Sequence, residues 1–140
     1  MRLDQILLLL FIFIVIREFT TITERFYHSE PYLEELHSKL SVMDPDLKHV
    51  QVFQGKESYT LNKSKVYICL FDENGEYYPE NMIVYVLCHE YAHVLCDVVD
   101  DSKSRHSKEF FTIFNQLLKK AGVLGLYDPS IPPIENYCMV

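Results

Sequence analysis

A small α+β domain is the fold class this chain predicts. Its 140 residues suit one domain, and they are 49% apolar, with ten Tyr and nine Phe supplying core bulk in the absence of Trp. Apolar residues at helical spacing flank the middle of the chain, and three short β candidates cluster between residues 49 and 72. The order is α–β–β–β–α–α behind an apolar N-terminal segment. Strands grouped between helices, rather than alternating with them, predict a short antiparallel or mixed sheet packed on helices.

The N-terminal run "ILLLLFIFIVI", residues 6–16, follows Arg2 and Asp4 and precedes Arg17 and Glu18. As a helix it spans about 16 Å, roughly half the ~30 Å of a hydrocarbon core. Its length fits the apolar part of a secretory signal, but "REFTTITERF" offers no small-x-small cleavage site. The expectation is therefore an uncleaved, single-pass anchor over residues 1–22, with Phe19 and Ile22 extending the helix and Arg17 snorkelling. The alternative is a helix packed in the core. The flanking charges nearly balance, so they predict no orientation. Residues 23–140 then form the remaining domain.

In "SEPYLEELHSKLSVM", Pro31 suits a first helical turn, and Leu33, Leu36, Leu40 and Met43 form one stripe. Asp44 before Pro45 ends that helix. Strands are expected at 49–54, 58–61 and 65–72, the last apolar on both faces. Asn74-Gly75 marks a turn. An apolar helix runs from Pro79 or Glu80 to Val98, and a polar break follows. "SRHSKEFFTIFNQLLKKAG" is a further helix, with Ser104 as its N-cap and Gly122 just past its end. The Pro-rich tail carries enough apolar residues to pack back on the domain.

Twenty acidic against thirteen basic residues give a net charge of −7, which argues against a surface that coats nucleic-acid phosphates. Lys103, Arg105, Lys108, Lys119 and Lys120 read as the solvated side of a helix. Cys69, Cys88, Cys96 and Cys138 show no CxxC pair, so a cysteine metal site is not expected. Cys88 and Cys96, eight apart on one helix, are separated by about 12 Å of rise, too far for a disulfide. The cysteines read mainly as reduced, buried residues; a Cys69–Cys138 pairing stays open.

Within "YVLCHEYAHVLC", His89 and His93 are four apart and Glu90 follows the first. On a helix both imidazoles reach one Zn²⁺ from the same face, and Glu90 lies beside the metal as a base for an activated water. Without a metal, two histidines and a carboxylate would sit unpartnered in an apolar helix, at a cost of several kcal/mol. The pattern with a third His six residues after the second fails, since Val99 stands there. His106 is the preferred third ligand, on one face with Phe110, Ile113, Phe114 and Leu117. Glu109 could replace or orient it, and Asp97, Asp100 and Asp101 lie near in sequence. Cys88 reads as packing.

"HEYAH" followed by "HSKEF" resembles the H-E-x-x-H…H-x-x-x-F arrangement of the SprT-like and WLM groups of compact zinc metallopeptidases. "VYICLFDENGEYYPENMIVYVLCHEYAHVLC" is similar to small WLM-like proteins of large DNA viruses, over about residues 58–140. The resemblance implies a zincin-like domain, one zinc on His89, His93 and His106, catalytic Glu90 and a protein or peptide substrate. Members of these groups include proteases that act on DNA-crosslinked proteins. The apolar N-terminus, the acidic charge and the lack of a recognisable DNA-binding segment depart from that pattern, so that substrate is not carried over.

The expected activity is peptide hydrolysis by a membrane-tethered zinc enzyme, with Glu90 taking a proton from water and passing it to the leaving amine. Tyr77, Tyr78, Tyr127 and Tyr137 are unranked candidates for a second oxyanion donor. A peptide could add beside the strand at 65–72 if that strand is an edge. The competing readings are a catalytically silent, zinc-clamped binding module, in which Cys96 or Asp97 would take the fourth metal position, and a DNA-associated repair protease.

Overall fold

The computed structural model describes residues 1–28, 30–97 and 106–138, and all their side chains except those of 22–28; these described residues form four α-helices and a three-stranded mixed sheet. Helix α1 covers Leu3–His28. Its apolar residues 6–16 are all 39–67% exposed, so the run does not pack in the core. Among the described residues no helix is long and apolar enough to cross a membrane. That overturns the single-pass anchor expected over residues 1–22. The helix does continue past Phe19 and Ile22, but the stretch it adds is polar. Arg17 and Glu18 end the apolar run, and the Thr20 and Thr21 hydroxyls donate to the Arg17 carbonyl at 2.9 and 2.8 Å.

Helix α2 (Pro31–Leu40) starts with its proline in the first turn and tightens into a 3-10 turn over Ser41–Met43. The expected stripe of Leu33, Leu36, Leu40 and Met43 is buried throughout. A second 3-10 turn, Pro45–His49, is capped by the Asp44 carboxylate accepting from the Asp46 N–H at 2.9 Å, and it leads into the sheet.

The strands are β1 (Gln51–Gln54), β2 (Tyr59–Leu61) and β3 (Lys65–Ile68), in spatial order β1-β3-β2. Strand β3 pairs in parallel with β1 and antiparallel with β2. Both of its edges are therefore occupied, which excludes a peptide adding beside it; β2 is an edge strand. The turn from β1 to β2 needs Gly55, because a Cβ there would meet the Glu57 carbonyl oxygen at 2.9 Å. Beyond β3, Gly75 takes φ +77° in the Asn74-Gly75 turn, and Phe71 bridges Tyr77.

Helix α3 (Glu80–Leu95) is buried on nearly every face, through Met82, Ile83, Val84, Val86, Leu87, Cys88, Tyr91 and Ala92. It ends three residues before the expected Val98, which lies outside the described residues; Cys96 already has extended backbone. The Tyr91 hydroxyl lies 2.6 Å from His37 Nδ1, tying α3 to α2. Helix α4 (Lys108–Val123) packs Phe110, Phe114, Leu117 and Ala121 on α3. Its N-cap is Ser107, whose hydroxyl accepts from the Phe110 N–H at 3.0 Å. The expected cap, Ser104, lies outside the described residues. Gly122 falls within the last turn, and Gly125 supplies the positive φ (+74°) that turns the chain.

The tail folds back as its composition predicts. Cys138 forms a disulfide with Cys69, just past β3, while Cys88 and Cys96 are buried outside it. The reduced reading therefore holds for two of the four cysteines. The Tyr137 hydroxyl donates to the Cys69 carbonyl, and the Cys138 N–H donates to the Tyr78 hydroxyl at 3.0 Å. A crosslink between residues 69 apart removes loop entropy from the unfolded chain. Cys138→Ser should lower unfolding stability by about 2–4 kcal/mol. Denaturant midpoints with and without dithiothreitol check this: reductant should bring the wild type down to the variant and leave the variant unmoved.

Candidate metal centre and its carboxylate

The polar face of α3 presents His89 and His93 one turn apart, with ring centroids 5.1 Å from each other. His106 precedes the Ser107 cap, so it stands at the entrance of α4 rather than within the helix. Its Nε2 lies 3.1 Å from His93 Nε2, and ligand nitrogens of all three histidines lie within 4.8 Å of one another. Phe110 stacks on His106 at 4.2 Å and meets His89 edge-on at 5.0 Å; Phe114 closes the side at 5.4 Å. This apolar wall fixes the imidazoles. Burial, then the neighbouring rings of His93 and His106, hold the His89 pKa down at about 4, so the ring is neutral at ordinary pH.

Three imidazoles suit a borderline-soft divalent ion, and nitrogens bound tetrahedrally at ~2.0–2.1 Å would be about 3.3 Å apart. The observed 3.1 Å between two of them is close to that separation. The donor set fits zinc. Among the described residues, no fourth His, Cys, Asp or Glu joins the cluster.

Glu90 is 5% exposed. Burial raises its pKa, and the hydrogen bond it accepts from Thr60 opposes that rise. Thr60 Oγ1 lies 2.7 Å from Glu90 Oε2 and 3.1 Å from the Glu90 carbonyl oxygen. Glu90 and His89 line two open clefts. One, of about 440 Å³, is bounded by Ser58, Met82, Val86 and Tyr137; the other, of about 450 Å³, by Tyr59, Thr60, Lys63 and His93. Both are within the range of small-ligand sites.

The other residues singled out by sequence fall away from this centre. Glu109 is exposed, and Asp97 is exposed and pairs with Lys63 at 3.6 Å. Asp100 and Asp101 lie outside the described residues. Cys96 Sγ sits 3.7 Å from the Ser107 hydroxyl. Cys88 is fully buried, and burial pushes its thiol up to about 12, as packing requires. Tyr77 donates to Glu30 at 2.8 Å on the surface, while Tyr78 and Tyr127 line neither cleft. Tyr137 lines one, but its hydroxyl proton is committed to the Cys69 carbonyl. Thr60 was not anticipated. Alternation in "SYTL" puts it opposite Tyr59 and Leu61, yet nothing in the sequence says that its face meets the glutamate of α3.

The sequence profile of the SprT-like family matches residues 29–128. The likeness thus begins in front of α2, well before residue 58. An uncharacterised protein of invertebrate iridescent virus 6 is 37% identical over 95 residues, which cover 66% of this chain and 51% of the relative. Another, of invertebrate iridescent virus 3, is 38% identical over 91 residues, covering 64% and 54%. An uncharacterised protein of Acanthamoeba polyphaga mimivirus is 30% identical over 124 residues, covering 81% and 56%. The chain spans about half the length of the curated relatives it matches. No solved structure matches it.

Proposed function

Because the chain belongs to the SprT-like family, a family associated with zinc-dependent protease-like function, we propose that it is a zinc metallopeptidase acting on protein or peptide substrates. The observation that carries this reading is the convergence of His89, His93 and His106 beside the buried Glu90 carboxylate. Zinc held by the three imidazoles supplies Lewis acidity, polarising a carbonyl and making water acidic enough to ionise near neutral pH. The chain's own residues do the rest. Glu90 accepts the water's proton and returns it to the leaving amine. The apolar side of the cleft, Met82 and Val86, receives a substrate side chain. Among the described residues, nothing pairs with the outer edge of β2, and an extended peptide can hydrogen-bond there, beside the second cleft.

Asp97, exposed and paired with Lys63, and Cys96, beside the Ser107 hydroxyl, stand outside the three-histidine cluster, which supports this reading over a zinc-clamped binding module, because turnover requires an open metal position. The test is cleavage of an unfolded protein by the full chain loaded with one zinc. Activity should vanish on chelation and return on adding zinc. A chain that holds one zinc and cleaves neither unfolded protein nor a broad peptide library would leave only the clamp.

A further inference from the structure

We propose that Thr60 is a positioning residue: its hydroxyl, presented by the edge strand β2, holds the Glu90 carboxylate in the orientation that proton transfer requires. The inference rests on the metallopeptidase reading and adds a residue to it.

The contact joins two elements that are far apart in sequence. Thr60 has one hydroxyl proton, and the carboxylate oxygen at 2.7 Å is a stronger acceptor than the Glu90 carbonyl at 3.1 Å. That bond engages Oε2 and leaves Oε1 for the water whose proton is to be moved. A glutamate side chain has three rotatable bonds, so burial alone does not fix where its oxygens point. A β-branched residue on a strand is stiff at χ1, so Thr60 sets a direction that the carboxylate follows.

The strand is itself held. Thr60 pairs in register with the fully buried Val66 of β3. The turn after β2, with Asn62 and Lys63 at φ +51° and +53°, places Lys63 Nζ 2.6 Å from the Cys96 carbonyl at the end of α3. Strand β2 is thus fastened to α3 at two points, Glu90 and Cys96, on either side of His93. Its side chains alternate, with Thr60 toward the helix and Tyr59 and Leu61 exposed. One strand therefore offers its free edge to a peptide and its inner face to the carboxylate. Substrate docking and Glu90 orientation share that support.

The experiment compares wild type, Thr60→Val and Thr60→Ser as full-length, zinc-loaded proteins. Valine keeps the shape and removes the bond; serine keeps the bond. Thr60→Val should lower kcat by about 10- to 100-fold, as loss of a supporting partner commonly does, with KM near the wild-type value and one zinc retained. Thr60→Ser should recover most of the lost kcat. A readout independent of activity is a double-mutant cycle on zinc-free protein. Thr60→Val should lower the denaturation midpoint of wild type clearly more than that of Glu90→Ala, where only the 3.1 Å contact to the backbone carbonyl of residue 90 is left to lose. The proposal is overturned if Thr60→Val keeps wild-type kcat, if serine is as impaired as valine, or if valine destabilises both backgrounds equally. A wild type that binds zinc and cleaves nothing would sink the reading beneath it, and the proposal with it.

Discussion

Glu90→Gln should lower peptide cleavage by about 10²- to 10⁴-fold, the usual contribution of a positioned proton-transfer group, while leaving zinc at one per chain. The amide matches the carboxylate in shape and can still accept from Thr60 at the position Oε2 holds, 2.7 Å away. It has no proton affinity to offer water. Glu90 is not among the three converging donors, so its loss should not release metal. The same change has a predictable effect on folding. Burial raises the Glu90 pKa, so the folded protein binds this proton more tightly than the unfolded chain does. Glu90's contribution to stability is therefore largest at low pH and is lost as pH rises through its folded pKa. At neutral pH the zinc-free Glu90→Gln protein should be at least as stable as wild type. Elemental analysis, peptide kinetics and denaturant midpoints on one preparation check all three statements. Cleavage at the wild-type rate would refute the role given to Glu90.

How much of this was legible in the sequence depended on whether the signal was local. Helix α3 announced itself through an apolar run interrupted only by a histidine pair and a glutamate, and α2 through a four-residue stripe. Strand β3 was legible as a strand but not by extent. It was expected over 65–72 and leaves the ladder after Ile68, because the Cys69 N–H turns to the Ser58 hydroxyl at 2.9 Å. Its central position was partly readable, since residues apolar on both faces suit an interior strand. Such a strand has no free edge for a peptide.

The remaining misses are tertiary. Nothing local says that Cys69 meets Cys138 or that Thr60 meets Glu90. For α1 the decisive quantity was in plain view. Eleven apolar residues give only about 16 Å of greasy helix, and neither Phe19 nor Ile22 offsets Arg17 and Glu18. The start of α4 shows a finer failure. Ser104 and Ser107 both precede "KEFF", and only the structure shows that Ser107 caps the helix, which leaves His106 outside it and facing His93.

His106→Ala should weaken zinc binding by at least about 100-fold, since losing partners merely adjacent to metal ligands already costs 10- to 100-fold. The His106 ring supplies one of three nitrogens, and its Nε2 lies 3.1 Å from that of His93. With only two imidazoles one helical turn apart, the ion loses the donor that links α3 to the start of α4. The consequence extends to folding, because zinc binds the folded chain and not a preformed site in the unfolded one. At free zinc about 1,000 times Kd, the wild type should gain about 4 kcal/mol, or roughly 10–15 °C in Tm for a chain of this size. With Kd weakened about 100-fold or more, His106→Ala should keep at most about 1.4 kcal/mol, a third of that gain. Glu109→Ala, which removes an exposed carboxylate on the next turn, should match wild type in both zinc content and zinc-induced stabilisation. Melting curves with and without added zinc on the three proteins separate the candidates. Loss of the gain in Glu109→Ala, with its retention in His106→Ala, would transfer the third ligand to the carboxylate and break the three-histidine centre.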